Sequence, residues 1–485
     1  MKNLILFLLS LCVLTTSCSK KKKDKDLALI NEIENNLLPQ IIIEGDSVES
    51  YKLADRMEHY NIPGVSIAFY NKGEIKWAKG YGYLSAEKNI PVNEKTLFQA
   101  ASISKPVAAL AALHLADKEE IGLDDNVNIY LKEWKVEENA YTKEEKVTLR
   151  RILSHSAGLT VHGFGGYSST DTVPGILKVL DGDEPANSPR VYPDTIPGTI
   201  YRYSGGGYTV MQKMLCDITG MNFPELMNEY VLSVIGMDNS TYRQPLPQEL
   251  AGNAASAHNA DGSVVAGNWH TYPEMAAAGL WTTPTDLLKY AIEVQNSLDG
   301  KTTDIISSQM TEEMLKAQIN SHGLGPAVGG NGDSLLFSHG GANKGFRSIM
   351  LAFPRMGQGV AIMTNSDNGG ALNQEIMRSF SDIYGWNVYP TEMKSVIQMS
   401  KEDLTDYEGN YSMEWQGNKM TINLTTIDNH LKGKQMWDNI EFNIFPEDEL
   451  SFFNKEDGAS FQFAKNESGG IKEIIIQDQY VFVKE

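Results

Sequence analysis

Cysteine is scarce in this sequence: of 485 residues, only Cys12, Cys18 and Cys216 carry a thiol. So few thiols exclude a framework of several disulfides, and the fold must therefore depend on its hydrophobic core for stability. Metal-ligand spacings such as His-Glu-x-x-His and Cys-x-x-Cys are missing as well. The sequence therefore predicts no metal site and no cofactor.

Positive charge is also in deficit. The chain has 42 lysines and arginines against 62 aspartates and glutamates, a net charge of -20, which opposes binding to nucleic acid. Its longest apolar run, Leu4 to Leu14, is about eleven residues long and too short to span a bilayer as a helix. A chain of 485 residues is longer than one hydrophobic core usually organises, and 41% of its residues are hydrophobic. We therefore expect a large folded domain and a smaller one.

The N-terminus has the features of an export signal. Lys2 precedes the apolar run, and small residues then lead to Cys18. This end resembles the bacterial lipobox, although Thr15 stands where that pattern prefers an aliphatic residue. We therefore predict a signal peptide over 1–17, a lipid anchor on Cys18, and a tether with an N-terminal helix over 18–45. The chain is then a membrane-anchored bacterial lipoprotein facing the periplasm or the cell exterior; a signal peptide with an incidental cysteine is the alternative.

The order of predicted elements indicates a mixed α/β (α+β) fold. Strands at both ends of a helical middle favour one mixed sheet with a helical insertion over 46–388. The elements predicted for it are a hairpin over 65–77, a helix over 102–118, strands over 334–338, 346–353 and 359–364, and a helix over 373–384. After a linker at 389–404, short alternating runs predict an all-β barrel or sandwich over 405–485.

Ser102 and Lys105 form a Ser-x-x-Lys arrangement that suits nucleophilic catalysis. On a helix the two residues share a face, so the lysine reaches the hydroxyl one turn away. Pro106 fits only near a helix start, which places Ser102 at the N-terminus, where its free backbone N–H stabilises an oxyanion. The motif alone is weak, because a surface helix cap followed by a lysine also matches it.

Two further segments follow in order: Tyr203-Ser204-Gly205 in a glycine-rich loop, and His339-Gly340-Gly341-Ala342 at the end of a predicted strand. Segments 153–159 and 278–287 are additional look-alikes. Together they resemble the signatures of the superfamily of serine β-lactamases, penicillin-binding proteins and class C β-lactamase-related esterases. The resemblance implies that the proton of Ser102 is shared by Lys105 and Tyr203, with either as the base. It further implies that Ala342 supplies a second oxyanion N–H and that Gly205, His339, Gly340 and Gly341 bind substrate.

Two departures from the family pattern bear on the substrate. His339 stands where β-lactamases and penicillin-binding proteins usually have a lysine that holds a substrate carboxylate, and Gly205 stands where an asparagine is common. Because histidine is mostly neutral at pH 7, we predict a serine hydrolase of esters or small amides and peptides. Lys344 or Arg347 could restore the cation, so a penicillin-interactive D-alanyl carboxypeptidase or β-lactamase is the alternative. A non-catalytic envelope binding or scaffold protein is the second.

Other histidines are interpreted as structural. His114 falls on an apolar helix face, and His155 lies in a serine-rich turn. Both are expected to be hydrogen-bonded residues of the fold without a chemical role.

Overall fold

The computed structural model describes residues 27–47, 50–415 and 417–485. The predicted signal peptide, Cys18 and the start of the tether lie outside the described residues and stay predictions. None of the helices in the described part combines the length and the apolar character that crossing a membrane requires.

The described chain divides into two compact units, the first over residues 56–373 and the second over 27–55 with 374–485. The first unit contains a seven-stranded sheet in the order β4-β3-β2-β10-β9-β8-β7, with every neighbouring pair antiparallel. Its strands are β2 Gly64–Asn71, β3 Glu74–Ser85, β4 Lys88–Pro91, β7 Ala327–Gly329, β8 Leu336–Asn343, β9 Phe346–Phe353 and β10 Gln358–Thr364. A separate two-stranded sheet pairs β5 Phe98–Gln99 with β6 Trp281–Thr282.

Most helices lie between the two groups of strands, as the sequence predicted. The chain contains a helix at residues 27–35 (α1), α2 Leu53–His59, α3 Ser104–Asp117, α4 Leu149–Leu153, α5 Ile176–Asp181, α6 Gly205–Thr219, α7 Phe223–Met227, α8 Met275–Ala278, α9 Pro284–Leu298, α10 Ser308–Met314, α11 Gly369–Tyr384 and α12 Lys401–Thr405. Helix α3 is buried on nearly every side, which its alanine-rich sequence allows. Helix α9 packs on β2 and β10, and α3 contacts α8.

The second unit contains a closed eight-stranded barrel in which each strand pairs with the next and the last pairs with the first. The strands are β12 Gly409–Trp415, β13 Asn418–Ile427, β14 His430–Gln435, β15 Glu441–Pro446, β16 Ser451–Asn454, β17 Ser460–Lys465, β18 Ile471–Ile476 and β19 Tyr480–Lys484. Alternate residues point inward, as a barrel requires. In the same unit, β1 Ile41–Ile43 pairs in parallel with β11 Glu392–Lys394, so the predicted linker contains a strand.

The mixed α/β class and the C-terminal barrel are confirmed, but three element boundaries were wrong. The strand predicted at 334–338 begins at Leu336 and continues to Asn343, because β8 pairs with β9 from Phe337 to Asn343 and a two-residue turn joins the two strands. That turn has Gly345 in the left-handed region at φ +72°. Helix α3 begins at Ser104, and α11 begins at Gly369.

Candidate active site

Ser102 lies in a tight turn between strand β5 and helix α3. Residues Ala101–Ile103 form one turn of 3-10 helix, and Ala101 has φ +50°, a left-handed conformation that is unusual for alanine. Three hydrogen bonds hold this turn: Ala100 N–H to the Leu280 carbonyl at 2.8 Å, Ser348 Oγ to the Ala100 carbonyl at 2.9 Å, and Ser104 Oγ to the Ala101 carbonyl at 2.5 Å. The strained turn therefore fixes Ser102 in one orientation.

Lys105 points from the first turn of α3 to Ser102. Its Nζ donates to Ser102 Oγ at 3.0 Å and to the carbonyl of Ala277 at 2.8 Å. The side chain is buried, with 2% of the residue exposed. No carboxylate of the described residues forms an ion pair with it, so burial lowers the pKa of Lys105 to about 7. A substantial fraction of the lysine is therefore a neutral amine at neutral pH.

Tyr203 completes the group of three residues. Its ring lies 4.9 Å from Lys105 Nζ, and its hydroxyl interacts by hydrogen bonding with Ser102. Burial raises the pKa of the phenol, and the Ser102 interaction only partly offsets this. Tyr203 is thus a protonated phenol near neutrality. The structure brings Ser102, Lys105 and Tyr203 together as the sequence predicted, with Lys105 the better proton acceptor.

Strand β8 passes directly beside the Ser102 turn. A Cβ at Gly341 would lie 2.2 Å from the carbonyl oxygen of Ala100, so only glycine fits there. Strand β7 pairs with β8 only as far as Ser338. On that side the edge of β8 from His339 to Asn343 has no strand partner among the described residues, and Ala342 lies exposed on it. This placement suits a second N–H donor beside Ser102.

His339 is buried, and its Nδ1 lies 2.6 Å from the Gly340 carbonyl. Burial and the neighbouring Lys105 lower the pKa of His339 to about 3, so the ring is neutral. The two cations considered as substitutes both form ion pairs with Asp367. Lys344 Nζ lies 2.8 Å from its Oδ2, and Arg347 Nη1 lies 3.1 Å from its Oδ1. Neither supplies an unpaired positive charge for a substrate carboxylate.

Gly205 begins helix α6, which Ser204 caps through its Oγ and the Gly207 N–H at 3.0 Å. A Cβ at Gly205 would lie 3.0 Å from the ring of Phe164. The position therefore has little room for the amide that the family pattern places there. Gly340 differs, because a Cβ on it would meet nothing closer than 3.9 Å.

Two histidines in this region were not predicted to take part. The ring of His155, interpreted as structural, lies 4.1 Å from that of Tyr203, and His322 lies 4.9 Å from His155. Ser204 N–H donates to His155 Nδ1 at 3.1 Å, so His155 braces the loop that carries Tyr203. The 153–159 look-alike motif was a signal for His155. Nothing near His322 in the sequence marks it.

Nitrogen atoms of His155, His322 and His339 lie within 4.8 Å of one another, and burial lowers the pKa of all three rings. A metal ion would need a lone pair from each. The His155 Nδ1 lone pair already accepts the Ser204 N–H, which leaves the neutral ring with its proton on Nε2. The protonated fraction of Lys105, which lowers the pKa of the three rings, also repels a cation. The three rings therefore fit a neutral cluster better than a metal site.

The antiparallel seven-stranded sheet, with a serine and a lysine one helical turn apart beside its β8 edge, defines the β-lactamase and transpeptidase class of fold. The model of the Beta-lactamase family matches residues 52–378. The chain belongs to that family.

Solved structures agree on the fold. The octameric penicillin-binding protein homologue from Pyrococcus abyssi is 20% identical, with a TM-score of 0.61 over 89% of this chain and 98% of that one. FmtA from Staphylococcus aureus is 19% identical, with a TM-score of 0.55 over 71% of this chain and 91% of that one. Identities this low establish the fold alone.

Curated relatives match only part of their length. Protein flp of Staphylococcus aureus strain MW2 is 24% identical over 63% of this chain and 60% of its own length. A teichoic acid D-alanine hydrolase of Staphylococcus aureus is 23% identical over 57% of this chain and 66% of its own length. The chain thus spans less than two thirds of these relatives.

Proposed function

We propose that the protein is a serine hydrolase that acts through an acyl-enzyme on Ser102, with Lys105 as the base. The observation that carries this proposal is the buried Lys105 amine, 3.0 Å from Ser102 Oγ and without a carboxylate partner in the described part of the chain. A serine hydroxyl is a weak nucleophile until a base removes its proton, and an ordinary lysine is already protonated at pH 7. Burial lowers the pKa of Lys105 to about 7, so that part of the lysine is unprotonated at neutral pH and accepts the proton.

In the proposed reaction, Ser102 Oγ attacks the substrate carbonyl carbon while its proton passes to Lys105 Nζ. The resulting oxyanion accepts hydrogen bonds from the backbone N–H groups of Ser102 and Ala342. The bond to the leaving group then breaks as Tyr203 donates its phenolic proton, which Lys105 replaces. Water then attacks the ester on Ser102. Its proton passes through Tyr203 to Lys105, which returns a proton to Ser102 Oγ as the acid is released.

Esters and small amides are the proposed substrates. The site has a neutral His339 where a fixed cation would hold a substrate carboxylate, and the nearby Lys344 and Arg347 are paired with Asp367. This disfavours β-lactams and peptides that end in a free carboxylate. The relative named teichoic acid D-alanine hydrolase supports D-alanyl esters as a first candidate within the ester class.

The proposal is tested with a fluorophosphonate and with a substrate panel. Intact-mass analysis should show one adduct, mapped to Ser102, on the wild type and none on Ser102→Ala. The panel compares nitrophenyl esters, D-alanine methyl ester, D-amino-acid amides, D-alanyl dipeptides and nitrocefin. Turnover of esters that Ser102→Ala abolishes is expected. Nitrocefin turnover faster than ester turnover would favour the β-lactamase alternative, and no adduct on folded protein would favour a scaffold.

Attachment to the cell envelope through Cys18 is part of the proposal. Its support is the lipobox-like end of the apolar N-terminal run. Metabolic labelling with an alkyne fatty acid should mark the wild type and leave Cys18→Ala unlabelled. Equal labelling of both would contradict it.

A further inference from the structure

The C-terminal barrel is packed at one end and hollow at the other. At the packed end, the buried cluster includes Leu404 and Tyr407 from α12 and the turn after it, together with Leu424, Leu431 and Ile444. The other half encloses a cavity of about 450 Å³. Protein interiors are close-packed and contain few voids larger than a water molecule, so a space of this size within a closed barrel requires an explanation.

The cavity opens where four hairpin turns meet. Residues that line it include Trp415 at the end of β12, Trp437 in the β14–β15 turn, Asp457 in the β16–β17 turn and Gln477 in the β18–β19 turn. Large apolar side chains at this mouth are solvent-exposed: Trp415 by 46%, Trp437 by 39% and Ile440 by 55%. Trp415 also contacts Tyr480 edge to face, with ring centroids 5.8 Å apart. The mouth is therefore an aromatic rim around an open lumen.

Below the rim the lining is almost entirely apolar. Its apolar residues include Met413, Ile422, Phe442, Phe461 and Phe482, and the amides of Gln435 and Asn454 are polar exceptions. The rings of Phe442 and Phe461 stack with centroids 5.5 Å apart. Gly433 makes room for this arrangement, since a Cβ there would lie 2.3 Å from the Phe442 ring. A lumen of this kind favours a slender apolar group.

Asp457 gives the mouth its charge. It is the one charged side chain among the described residues that line the cavity. Its Oδ1 accepts the Ala459 N–H at 3.0 Å, and no lysine, arginine or histidine in the described part of the chain forms an ion pair with it. A carboxylate beside exposed indole and phenol rings attracts a cation and repels an anion.

We propose that the barrel binds a slender apolar molecule that ends in a cationic amine. The alkyl portion occupies the cavity, and the ammonium group lies at the mouth against Asp457, Trp415 and Trp437. The cavity volume of about 450 Å³ falls within the range of roughly 300–1,000 Å³ that is typical of small-molecule sites. This binding is independent of the hydrolase proposal, because every lining residue belongs to the barrel.

Isothermal titration of the full chain with decylammonium, decanol and decanoate, each below its micelle concentration, tests the proposal. The three probes share one alkyl chain and differ in charge. We expect decylammonium to bind about five- to tenfold more tightly than decanol and decanoate to bind most weakly. No binding of any probe, equal binding of all three, or tightest binding of decanoate would overturn the proposal.

Four variants locate the site. Asp457→Asn should reduce decylammonium affinity to that of decanol, whereas Asp478→Asn, which removes the same charge from an exposed turn at the same end, should leave it unchanged. Ala459→Trp should fill the cavity and abolish binding of all probes, with the near-ultraviolet circular dichroism spectrum checking the fold. Ser102→Ala should bind like the wild type. An unchanged affinity in Asp457→Asn, or retained binding in a folded Ala459→Trp, would contradict the assignment.

Discussion

Lys105 and Lys213 are both buried lysines of the first unit, yet their surroundings differ completely. Lys213 Nζ lies 2.5 Å from Asp217 Oδ1, one turn further along helix α6. Among the residues that the structure describes, Lys105 Nζ has only the neutral oxygens of Ser102 and Ala277 as hydrogen-bond partners. Burial alone disfavours an ammonium, while a buried carboxylate partner stabilises it. One residue type therefore forms a structural ion pair in one place and, in the proposed reaction, acts as a base in another.

The same contrast holds for buried carboxylates. Asp217 has the Lys213 ammonium and also accepts the Lys132 N–H at 2.9 Å. Glu274, completely buried beside helix α8, has no ion-pair partner among the described residues. Burial raises its pKa to about 7, offset only by its own backbone N–H. Burial therefore brings the pKa of both Lys105 and Glu274 to about 7, from opposite directions.

Exchanging the two lysines for methionine separates their roles. Lys105→Met should lower ester hydrolysis about 10³-fold, because it removes the base, and should leave the protein folded. Lys213→Met should instead lower the free energy of unfolding by about 3 kcal/mol or more, because it leaves Asp217 buried without its cation. Steady-state kinetics and urea denaturation measure the two effects. Equal loss of activity in both variants would remove the distinction.

Displacing Ser102 relative to Lys105 should be the next largest effect. In Gly341→Ala the new methyl group meets the Ala100 carbonyl, which would have to move, so we expect activity to fall about 10- to 100-fold. Gly329→Ala on strand β7, whose methyl group meets nothing closer than 3.5 Å, is the matched control and should retain activity. Equal activities in these variants would contradict the close approach of β8.

Glu274→Gln sharpens the carboxylate half of the comparison. The pKa of Glu274 is about 7 in the folded protein and near 4.5 in the unfolded chain. Its ionisation therefore has no effect on stability below pH 4.5 and lowers the free energy of unfolding as the pH rises from 4.5 to 7. The variant should therefore gain about 3 kcal/mol of unfolding free energy at pH 8 and none at pH 4. Urea titrations at both pH values measure this. The same gain in unfolding free energy at pH 4 and pH 8 would mean that ionisation of Glu274 does not cause the stability difference.

Much of this organisation is predictable from the sequence, because it depends on local patterns. The period-two runs around Val65 and Phe346 predicted strands of the sheet, and the spacing of Ser102 and Lys105 predicted their contact. The joint order of Ser102, Tyr203 and His339 predicted the family. Each of these signals lies within a few residues or follows a known arrangement.

What escaped prediction depends on contacts between distant segments. The turn that contains the left-handed Ala101 is held through Ala100, which hydrogen-bonds to Leu280 and Ser348, far away in the chain. His322 is distant from His155 in the sequence, and the fold brings the two rings together. Lys344 is not available as a cation for substrate, because it forms an ion pair with Asp367. The barrel was predicted from alternation, but its cavity depends on how eight strands close.

The central claim is that a neutral Lys105 activates Ser102. Its most direct test is the second-order rate of Ser102 modification by a fluorophosphonate from pH 5 to 9, which requires no knowledge of the substrate. We predict a rate that rises with unit slope and levels off with a midpoint near pH 7, and a Lys105→Met variant that is slow throughout. A rate that does not change with pH, or that rises steadily to pH 9, would contradict the claim.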